Sequence, residues 1–243
     1  MKRSTLAVGA AAGFAAGCYG AWAALAFARY GGPHRRRPEE RDPLLDEFMP
    51  KYDVYERQAI VVSAPPDVTL AAARNQDLFE LPLIRAIFRT RALVMGGAGE
   101  SPHQRQGLLG ATVALGWRVL KEVPDREIVV GAVTRPWQAD VTFRGIAPEQ
   151  FAAFDEADYV KIVWTLRADP LSDGGTLFCS ETRAVATDAK AAGKFRRYWA
   201  FAAPGISMIR RLGLPALKAD VERRATADEP SRPASAPHEP LVV

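Results

Sequence analysis

The amino-acid sequence predicts an α+β protein in which an antiparallel sheet is closed by a long C-terminal helix. Two pairs of β-branched segments are each joined by a short turn rich in Pro, Asp and Gly, which is typical of β-hairpins. The last structured segment, Ala189–Arg224, has the composition of a helix. Ahead of all these elements, Thr5–Ala28 contains no charged side chain. The sequence therefore also predicts one apolar helix before the sheet.

The N-terminal helix is long enough to be a single-pass transmembrane anchor. As a helix, Thr5–Ala28 would be about 36 Å long, compared with a hydrocarbon core of about 30 Å. A cleaved signal peptide, with Lys2 and Arg3 before a site at Ala26–Ala28, is one alternative. A lipoprotein signal at Ala15–Cys18 and a buried core helix are two others. The run exceeds the usual apolar region of a signal peptide, which favours the permanent anchor.

Two features of this region indicate possible partners. Gly9, Gly13 and Gly17 recur at every fourth position, so they share one helix face that could pack in a homo-oligomer. An Ala/Gly-rich segment can also give this spacing by chance. Much of the net charge of +4 is concentrated after the helix, in Arg29, Arg35, Arg36, Arg37 and Arg41. This patch favours a cytoplasmic domain next to a lipid bilayer and gives no reason to expect nucleic-acid binding.

The chain divides into four segments by composition. Residues 5–28 are the predicted anchor, and residues 29–45 form a basic linker rich in Pro and Gly. Residues 46–225 are long enough for one ordinary domain. Residues 226–243 contain four prolines among small and charged residues, so we expect a disordered tail.

The first half of the domain is predicted to be mainly helical after one strand. The β-branched segment Val54–Ser63 runs into Pro65 and Pro66, which suit the first turn of a helix. Three helices follow, and a loop at Gly96–Gln104 separates the second from the third. They are predicted at Asp67–Arg74, Leu81–Leu93 and Gly107–Gly116.

The second half is predicted to supply most of the sheet. Strands are expected at Trp117–Val123, Glu127–Val133, Gln138–Arg144, Tyr159–Ala168 and Thr176–Thr187, with a short helix at Pro148–Asp155. In Tyr159–Ala168, apolar and polar residues alternate, as expected of a strand with one covered face. We expect Pro204-Gly205 and Pro215 to break or kink the final helix.

This order of elements resembles the helix-grip architecture of the START-like, or SRPBCC, superfamily, which includes polyketide cyclase-like proteins. The local sequences that carry the resemblance are Val61–Val68, Glu127–Gly131 and Thr176–Arg183, and the similarity extends over about Tyr52–Arg224. The resemblance implies a curved antiparallel sheet wrapped around the long C-terminal helix. It also implies an apolar cavity for a hydrophobic ligand, such as a lipid or a polyketide-like ring. The extra helix before Trp117 and the prolines of the final helix depart from this pattern.

Aromatic side chains are the natural lining for such a cavity. Trp164 and Phe143 are the leading candidates because both fall in the middle of predicted strands. Phe195 and Trp199 are four residues apart in the final helix and would point the same way. Most aromatic residues of a domain this size belong to the core, and that is the alternative for each of them. The predicted ligand-binding aromatics are Trp117, Trp137, Phe143, Trp164, Phe195 and Trp199.

Two charged residues of the last strand are further candidates for ligand binding. Glu181 and Arg183 alternate with apolar residues, so they share one face of the strand. If that face is inward, we expect them to pair with each other or with Arg135, because a buried unpaired charge is costly. If the other face is inward, both charges are solvated.

No residue pattern predicts catalysis or a bound cofactor. The three histidines, His34, His103 and His238, each follow a proline in a predicted loop or tail. Cys18 lies in the apolar segment, so Cys179 has no partner for a disulfide within the domain. We predict no catalytic residue, no metal site and no cofactor.

Three functions of different classes fit this sequence. The first is a membrane-anchored module that binds a hydrophobic ligand without catalysis. The second is a cyclase- or aromatase-like enzyme of the same superfamily. The third is a structural protein that self-associates through its transmembrane helix.

Overall fold

The computed structural model describes residues 2–32, 38, 41–78, 81–96 and 106–228. Parts of two predicted segments therefore lie outside the described residues, namely 33–37 and 39–40 of the linker and 229–243 of the tail. Most of the predicted loop Gly96–Gln104 is also outside them. The same is true of the three histidines, His34, His103 and His238.

The described strands form one antiparallel sheet. They are β1 Val54–Val62, β2 Arg118–Val123, β3 Glu127–Thr134, β4 Phe143–Arg144, β5 Val160–Pro170 and β6 Thr176–Ala186. The strand order is β1-β6-β5-β3-β2, with β4 paired to the end of β3. Both predicted hairpins are confirmed, β2 with β3 and β5 with β6. Their turns contain Asp125 at φ 57° and Gly174 at φ 83°, the left-handed conformation that such turns favour.

The third predicted strand is much shorter than the sequence suggested. Gln138–Arg144 was expected to be extended, but only Phe143 and Arg144 pair with β3. The preceding residues turn instead, and the Gln138 N–H donates to the Arg135 carbonyl at 3.1 Å. Thr134 then donates its hydroxyl to the Thr142 carbonyl at 2.8 Å, which aligns the chain for the two paired residues.

One face of the sheet, here called the inner face, packs against the long C-terminal helix. This helix, α7, spans Ala189–Asp228, and α3 (Pro66–Asn75) packs beside it. The inner face has two separate apolar clusters. One joins Val62, Ile128, Val130, Leu166 and Phe178 to Leu70, Leu217 and Val221. The other joins Val54, Val160 and Ala184 to Phe195, Trp199 and Ala203.

The prolines of α7 do not end the helix, so of the two expected outcomes, a break or a kink, the break is not present. The helix is continuous through Pro204 and Pro215. A proline inside a helix removes one backbone hydrogen bond and costs about 3 kcal/mol. Packing compensates at both places, because Ala203 and Leu217 beside the prolines are buried against the sheet.

The opposite, outer face of the sheet is covered by two short helices. They are α2 (Pro43–Phe48) and α6 (Pro148–Phe151), whose buried Leu45, Phe48 and Phe151 pack on β3 and β5. Helix α2 begins within the segment predicted as a linker. Asp42 caps it by accepting the Leu45 N–H at 2.9 Å, and Pro43 occupies its first turn. The sequence analysis missed this helix because six residues are too few to show a helical period.

Two further helices complete the body of the domain. They are α4 (Pro82–Met95) and α5 (Gly107–Ala114), close to their predicted positions. Helix α4 lies against α7 at Gly205, where an added Cβ would lie 3.0 Å from the Ile87 side chain.

The N-terminal helix α1 (Lys2–Arg29) is present and its C-terminal end packs on α7. Tyr30, which follows α1, stacks edge-on against Phe195 with 5.8 Å between the ring centroids, and its hydroxyl donates to Asp53 at 3.1 Å. Arg196 of α7 donates to the Phe27 carbonyl at 2.9 Å. Among the described residues, no helix has both the length and the apolar character that crossing a membrane requires.

Candidate functional site

A row of side chains crosses the inner face between its two apolar clusters. Glu56 of β1 is the Cα partner of Thr182 in β6, which in turn is the partner of Trp164 in β5. Partnered residues of an antiparallel pair lie about 4.5–5.5 Å apart and point to the same face. We call these residues the transverse row, and we include in it the side chains that contact them. The full row is Glu56, Thr182, Trp164, Trp117, Phe143, Ser207 and Arg210.

One end of the transverse row is aromatic. The Trp117 ring centroid lies 4.9 Å from that of Phe143 and 6.5 Å from that of Trp164. These are ordinary distances for interacting aromatic pairs. All three side chains are only half-buried. The aromatic end therefore presents ring surface that the protein itself does not cover.

The other end of the transverse row is polar. Arg210 of α7 donates to the Thr182 hydroxyl and, at 3.4 Å, to the Glu56 carbonyl. One helical turn earlier, the Ser207 hydroxyl lies 3.2 Å from a Glu56 carboxylate oxygen, to which it donates. Burial lowers the pKa of Arg210, and the nearby Glu56 opposes that shift.

The middle of the inner face, at the transverse row, is less completely buried than its two ends. Ile162 and Trp164 lie on the inner face of β5, a central strand, and Thr182 is beside them on β6. Central residues that face a covering helix are expected to be fully buried when the two layers pack directly. These three are instead half-buried, whereas Val160 and Leu166 on the same face of β5 are buried. Solvent therefore reaches the space beside these three side chains, in the middle of the inner face.

The remaining aromatic candidates lie away from this space. Phe195 and Trp199 are buried in the second apolar cluster, with 6.2 Å between their ring centroids. Phe195 also contacts Tyr30, so this end of α7 is packed against the chain's N-terminal part. Trp137 is half-buried beside the Lys194 ammonium, 5.2 Å from its ring centroid.

Glu181 and Arg183 are placed on the outer face, away from the transverse row. Both are almost completely buried, at 1% and 0% exposure, and their side chains pair at 2.7 Å. Arg183 also pairs with Asp46 of α2 at 2.6 Å and donates to the Met49 carbonyl at 2.9 Å. From the sequence, the face that carries both charges was expected either to line an inward cavity or to meet solvent. The structure instead buries both charges beneath α2, a helix that the sequence analysis did not include.

The expected pairing of Glu181 with Arg183 is present, while Arg135 has other contacts. Arg135 donates to the Asp158 carbonyl at 3.1 Å, and its guanidinium lies 4.2 Å from the centre of the Tyr159 ring. A second cation, Arg57, approaches Glu181 at 3.8 Å.

A second buried acidic site on the outer face was missed by the sequence analysis. Glu127 accepts the Thr165 hydroxyl at 2.8 Å and shares a hydrogen bond with Asp42, the cap of α2. Burial, reinforced by the Asp42 carboxylate, raises the pKa of Glu127 to about 8. The sequence signal was a glutamate opening a strand whose other residues are almost all apolar.

Two open clefts lie on the outer side of the molecule. One, of about 570 Å³, is lined by residues around α6, including Arg144, Glu149 and Phe154. The other, of about 280 Å³, lies beside it between the end of α2 and β5, with Lys161 in its lining. Both are separate from the transverse row.

The described residues contain no cluster of His, Cys, Asp and Glu that could hold a metal ion. Cys179 is buried, and burial raises the pKa of its thiol to about 12. Its thiolate is therefore scarce near neutral pH, so it is a poor nucleophile.

The chain is an α+β domain whose antiparallel sheet packs against a long final helix. This arrangement is consistent with the helix-grip architecture. No family model matches the chain, and no curated protein is significantly similar to it in sequence. Solved structures with a similar arrangement include a hypothetical protein from Helicobacter pylori, at 10% identity and a TM-score of 0.37, over 78% of this chain and 96% of that one.

Two further solved structures are similar at the same level. A protein from Chromobacterium violaceum is 18% identical, with a TM-score of 0.29, over 69% of this chain and 96% of that one. The Zhui aromatase/cyclase from a Streptomyces species is 14% identical, with a TM-score of 0.29, over 72% of this chain and 98% of that one. Because all three TM-scores are below 0.5, these similarities assign no activity to this chain.

Proposed function

We propose that this chain binds a hydrophobic small molecule between the inner face of the sheet and α7, without catalysing a reaction. The observation that carries the proposal is the half-buried aromatic end of the transverse row. Ligand sites are mostly apolar and aromatic, with a few polar groups that fix orientation. The transverse row has this composition, since Arg210, Thr182 and Ser207 adjoin Trp164 and its neighbours.

Binding is preferred to cyclase- or aromatase-like catalysis because of where the buried charges lie. The candidates for acid or base chemistry, Glu181 and Arg183, contact each other and α2 rather than the transverse row. In the part of the chain that the structure describes, Glu56 is the carboxylate found in the row, and it accepts from Ser207. A catalytic role would therefore depend on Glu56, and its replacement by Gln would abolish turnover of any substrate found.

We further propose that the chain is attached to a membrane through its N-terminal region, with the domain on the cytoplasmic side. This proposal is supported by the sequence alone, from the uncharged run Thr5–Ala28 and the arginines that follow it. Fractionation of cells expressing the full chain and a chain that starts at Arg41 tests it. Attachment predicts that only the full chain sediments with membranes after a carbonate wash. Equal distribution of the two chains would contradict it.

Self-association through Gly9, Gly13 and Gly17 is a separate proposal about partners. It predicts that changing the three glycines to leucine weakens association in a membrane dimerisation assay, because close backbone approach is lost. Unchanged association would rule it out.

The ligand-binding proposal is tested on the full-length protein by mass spectrometry of co-purified small molecules. We expect a hydrophobic compound in the organic extract of the wild type and its loss in Trp164→Glu, which introduces a charge at the aromatic end. Val61→Glu is the matched control, because Val61 is an exposed apolar residue of β1 on the outer face.

Thermal unfolding of both variants separates loss of the ligand from loss of the fold. Wild-type protein that is free of any extracted compound, and that binds no hydrophobic probe such as 2-naphthylmethanol, would overturn the proposal.

A further inference from the structure

We infer that the ligand of the transverse row carries an acidic group that pairs with Arg210. This inference rests on the proposed function and adds the chemical class of the ligand to it: an apolar molecule with one anionic end. The basis is a cation in the interior between sheet and helix whose contacts in the described structure are neutral.

Placing Arg210 at this position costs free energy, because its charge is partly removed from water. It lies on the side of α7 that faces the sheet, between the two apolar clusters, and burial is the main cause of its lowered pKa. A guanidinium removed from water is normally compensated by a carboxylate. Among the described residues, none of the ion pairs includes Arg210.

The hydrogen bonds of Arg210 leave most of its binding capacity unused. A guanidinium has five N–H donors arranged in a planar fork that fits a carboxylate or phosphate. Arg210 gives one N–H to the Thr182 hydroxyl and one to the Glu56 carbonyl, both neutral oxygens. Arg210 is also half-buried rather than fully enclosed, and its contact residue Thr182 is the partner of Trp164.

The Glu56 carboxylate does not occupy the position proposed for the acidic group of the ligand. Glu56 favours the charged form of Arg210 through space, but its carboxylate accepts from the Ser207 hydroxyl, and its contact with Arg210 is through the backbone carbonyl. Glu56 therefore opposes the effect of burial on the pKa of Arg210 without occupying the guanidinium fork.

The register of the strands sets the shape of the ligand. Thr182, which Arg210 contacts, is the direct partner of Trp164, so the two side chains are neighbours on the inner face. The ring of Trp164 in turn leads to Trp117 and Phe143. A ligand whose acidic group pairs with Arg210 would therefore place a flat apolar portion beside the rings of Trp164, Trp117 and Phe143.

A simpler role for Arg210 is to tie α7 to β6 through Thr182, and a pair of probes distinguishes the two roles. The probes are 2-naphthoic acid and 2-naphthylmethanol, which share one apolar ring system and differ in charge. Binding to the full-length wild type is measured by isothermal titration. We expect the acid to bind at least about tenfold more tightly than the alcohol, and a purely structural Arg210 predicts equal affinities.

Variants then assign any preference to Arg210. In Arg210→Gln, the ratio of the two affinities should fall to about one, whereas in Arg210→Lys, which keeps the charge, the acid should still be preferred. Arg223→Gln is the matched control, because Arg223 is an exposed arginine at the far end of α7 and should retain the wild-type ratio.

The possible results separate the inference from the proposed function. Equal binding of acid and alcohol by the wild type overturns the acidic-group inference and leaves the hydrophobic site intact. A preference for the acid that persists unchanged in Arg210→Gln also overturns the inference. If neither probe binds, the proposed site itself fails, and the inference fails with it. Should Arg210→Gln not fold, Arg210→Met takes its place, with the same expected fall of the affinity ratio to about one.

Discussion

The burial of Glu181 and Arg183 depends on the helix that covers their face of the sheet. The two residues share a face of β6, and that face is interior only because α2 lies over it. Alternation along the strand was sufficient to predict that the charges face the same way. It could not reveal that both sheet faces are covered, because the second cover is a helix of six residues.

Removing one partner of this pair should be far more harmful than removing both. We expect Arg183→Met to lower the free energy of unfolding by about 3–5 kcal/mol, because the buried Glu181 loses the cation at 2.7 Å and retains Arg57 at 3.8 Å. The double variant Glu181→Leu/Arg183→Met should recover most of that loss. Urea unfolding of the three proteins measures both effects.

The exposed pair Lys121–Glu47 is the control for this experiment, with side chains 44% and 51% exposed. Lys121→Met should change stability by no more than about 1 kcal/mol. A cost of similar size for Lys121→Met and Arg183→Met would contradict the argument.

Glu127 should make the protein less stable as the pH rises. Its folded-state pKa, about 8, is above that of an unfolded glutamate, so the folded state holds this proton more tightly. The stabilisation is complete below the unfolded pKa and is lost as the pH approaches 8. Each unit of difference in pKa corresponds to about 1.4 kcal/mol. The groups that face Glu127 are Asp42, Thr165 and Arg167.

Urea midpoints measured at about pH 5 and about pH 8 check this expectation. The midpoint of the wild type should fall between these values, and Glu127→Gln, which cannot ionise, should show a smaller fall. An equal fall in both proteins would assign the pH dependence to other groups.

At the scale of elements, composition predicted the long strands and helices well, and failed where tertiary packing decides. The two hairpins, α3, α4, α5 and α7 are confirmed near their predicted positions. Pro204 and Pro215 lie inside α7 without ending it, and residues beside both prolines are buried against the sheet. The predicted Gln138–Arg144 strand failed because a turn leaves only two residues to pair.

Two glycines in different elements should respond in opposite ways to a methyl group. In β3, a Cβ at Gly131 would lie 2.5 Å from the Leu120 side chain and 2.9 Å from Phe151, so Gly131→Ala should cost about 1–3 kcal/mol by overpacking. In α7, a Cβ at Gly193 has nothing within 4 Å, so Gly193→Ala should gain about 0.5–1 kcal/mol from helix propensity. Chemical denaturation reports the sign of each change. The same sign for both variants would refute the packing described around β3.

At the scale of the whole molecule, both sheet faces must be covered for the chain to fold. A fragment that begins at Tyr52 and a longer one that begins at Arg41 differ by α2 and its flanking residues. The longer fragment retains Leu45, Phe48 and Met49, each at most 7% exposed. Burial of one such side chain contributes about 1.5–3 kcal/mol. We therefore expect cooperative unfolding only for the longer fragment, and circular dichroism of the two fragments checks this. Cooperative unfolding of the shorter one would show that α2 is dispensable.

The candidate site was predictable in part from the sequence. Trp117, Phe143 and Trp164 were named as ligand-binding residues, and the structure brings these three together on the inner face. Arg210 and Glu56 were not named, because their proximity depends on how α7 lies across β1 and β6. Residues from distant parts of the chain meet there without any local sequence signal.

Helix α7 contacts both the N-terminal region and the sheet. Its Phe195 packs on Tyr30, which follows α1, and a few turns further along Ser207 and Arg210 contact β1 and β6. Because α7 carries both sets of contacts, the packing of α1 and the covering of the inner face at Trp164 depend on the position of the same helix.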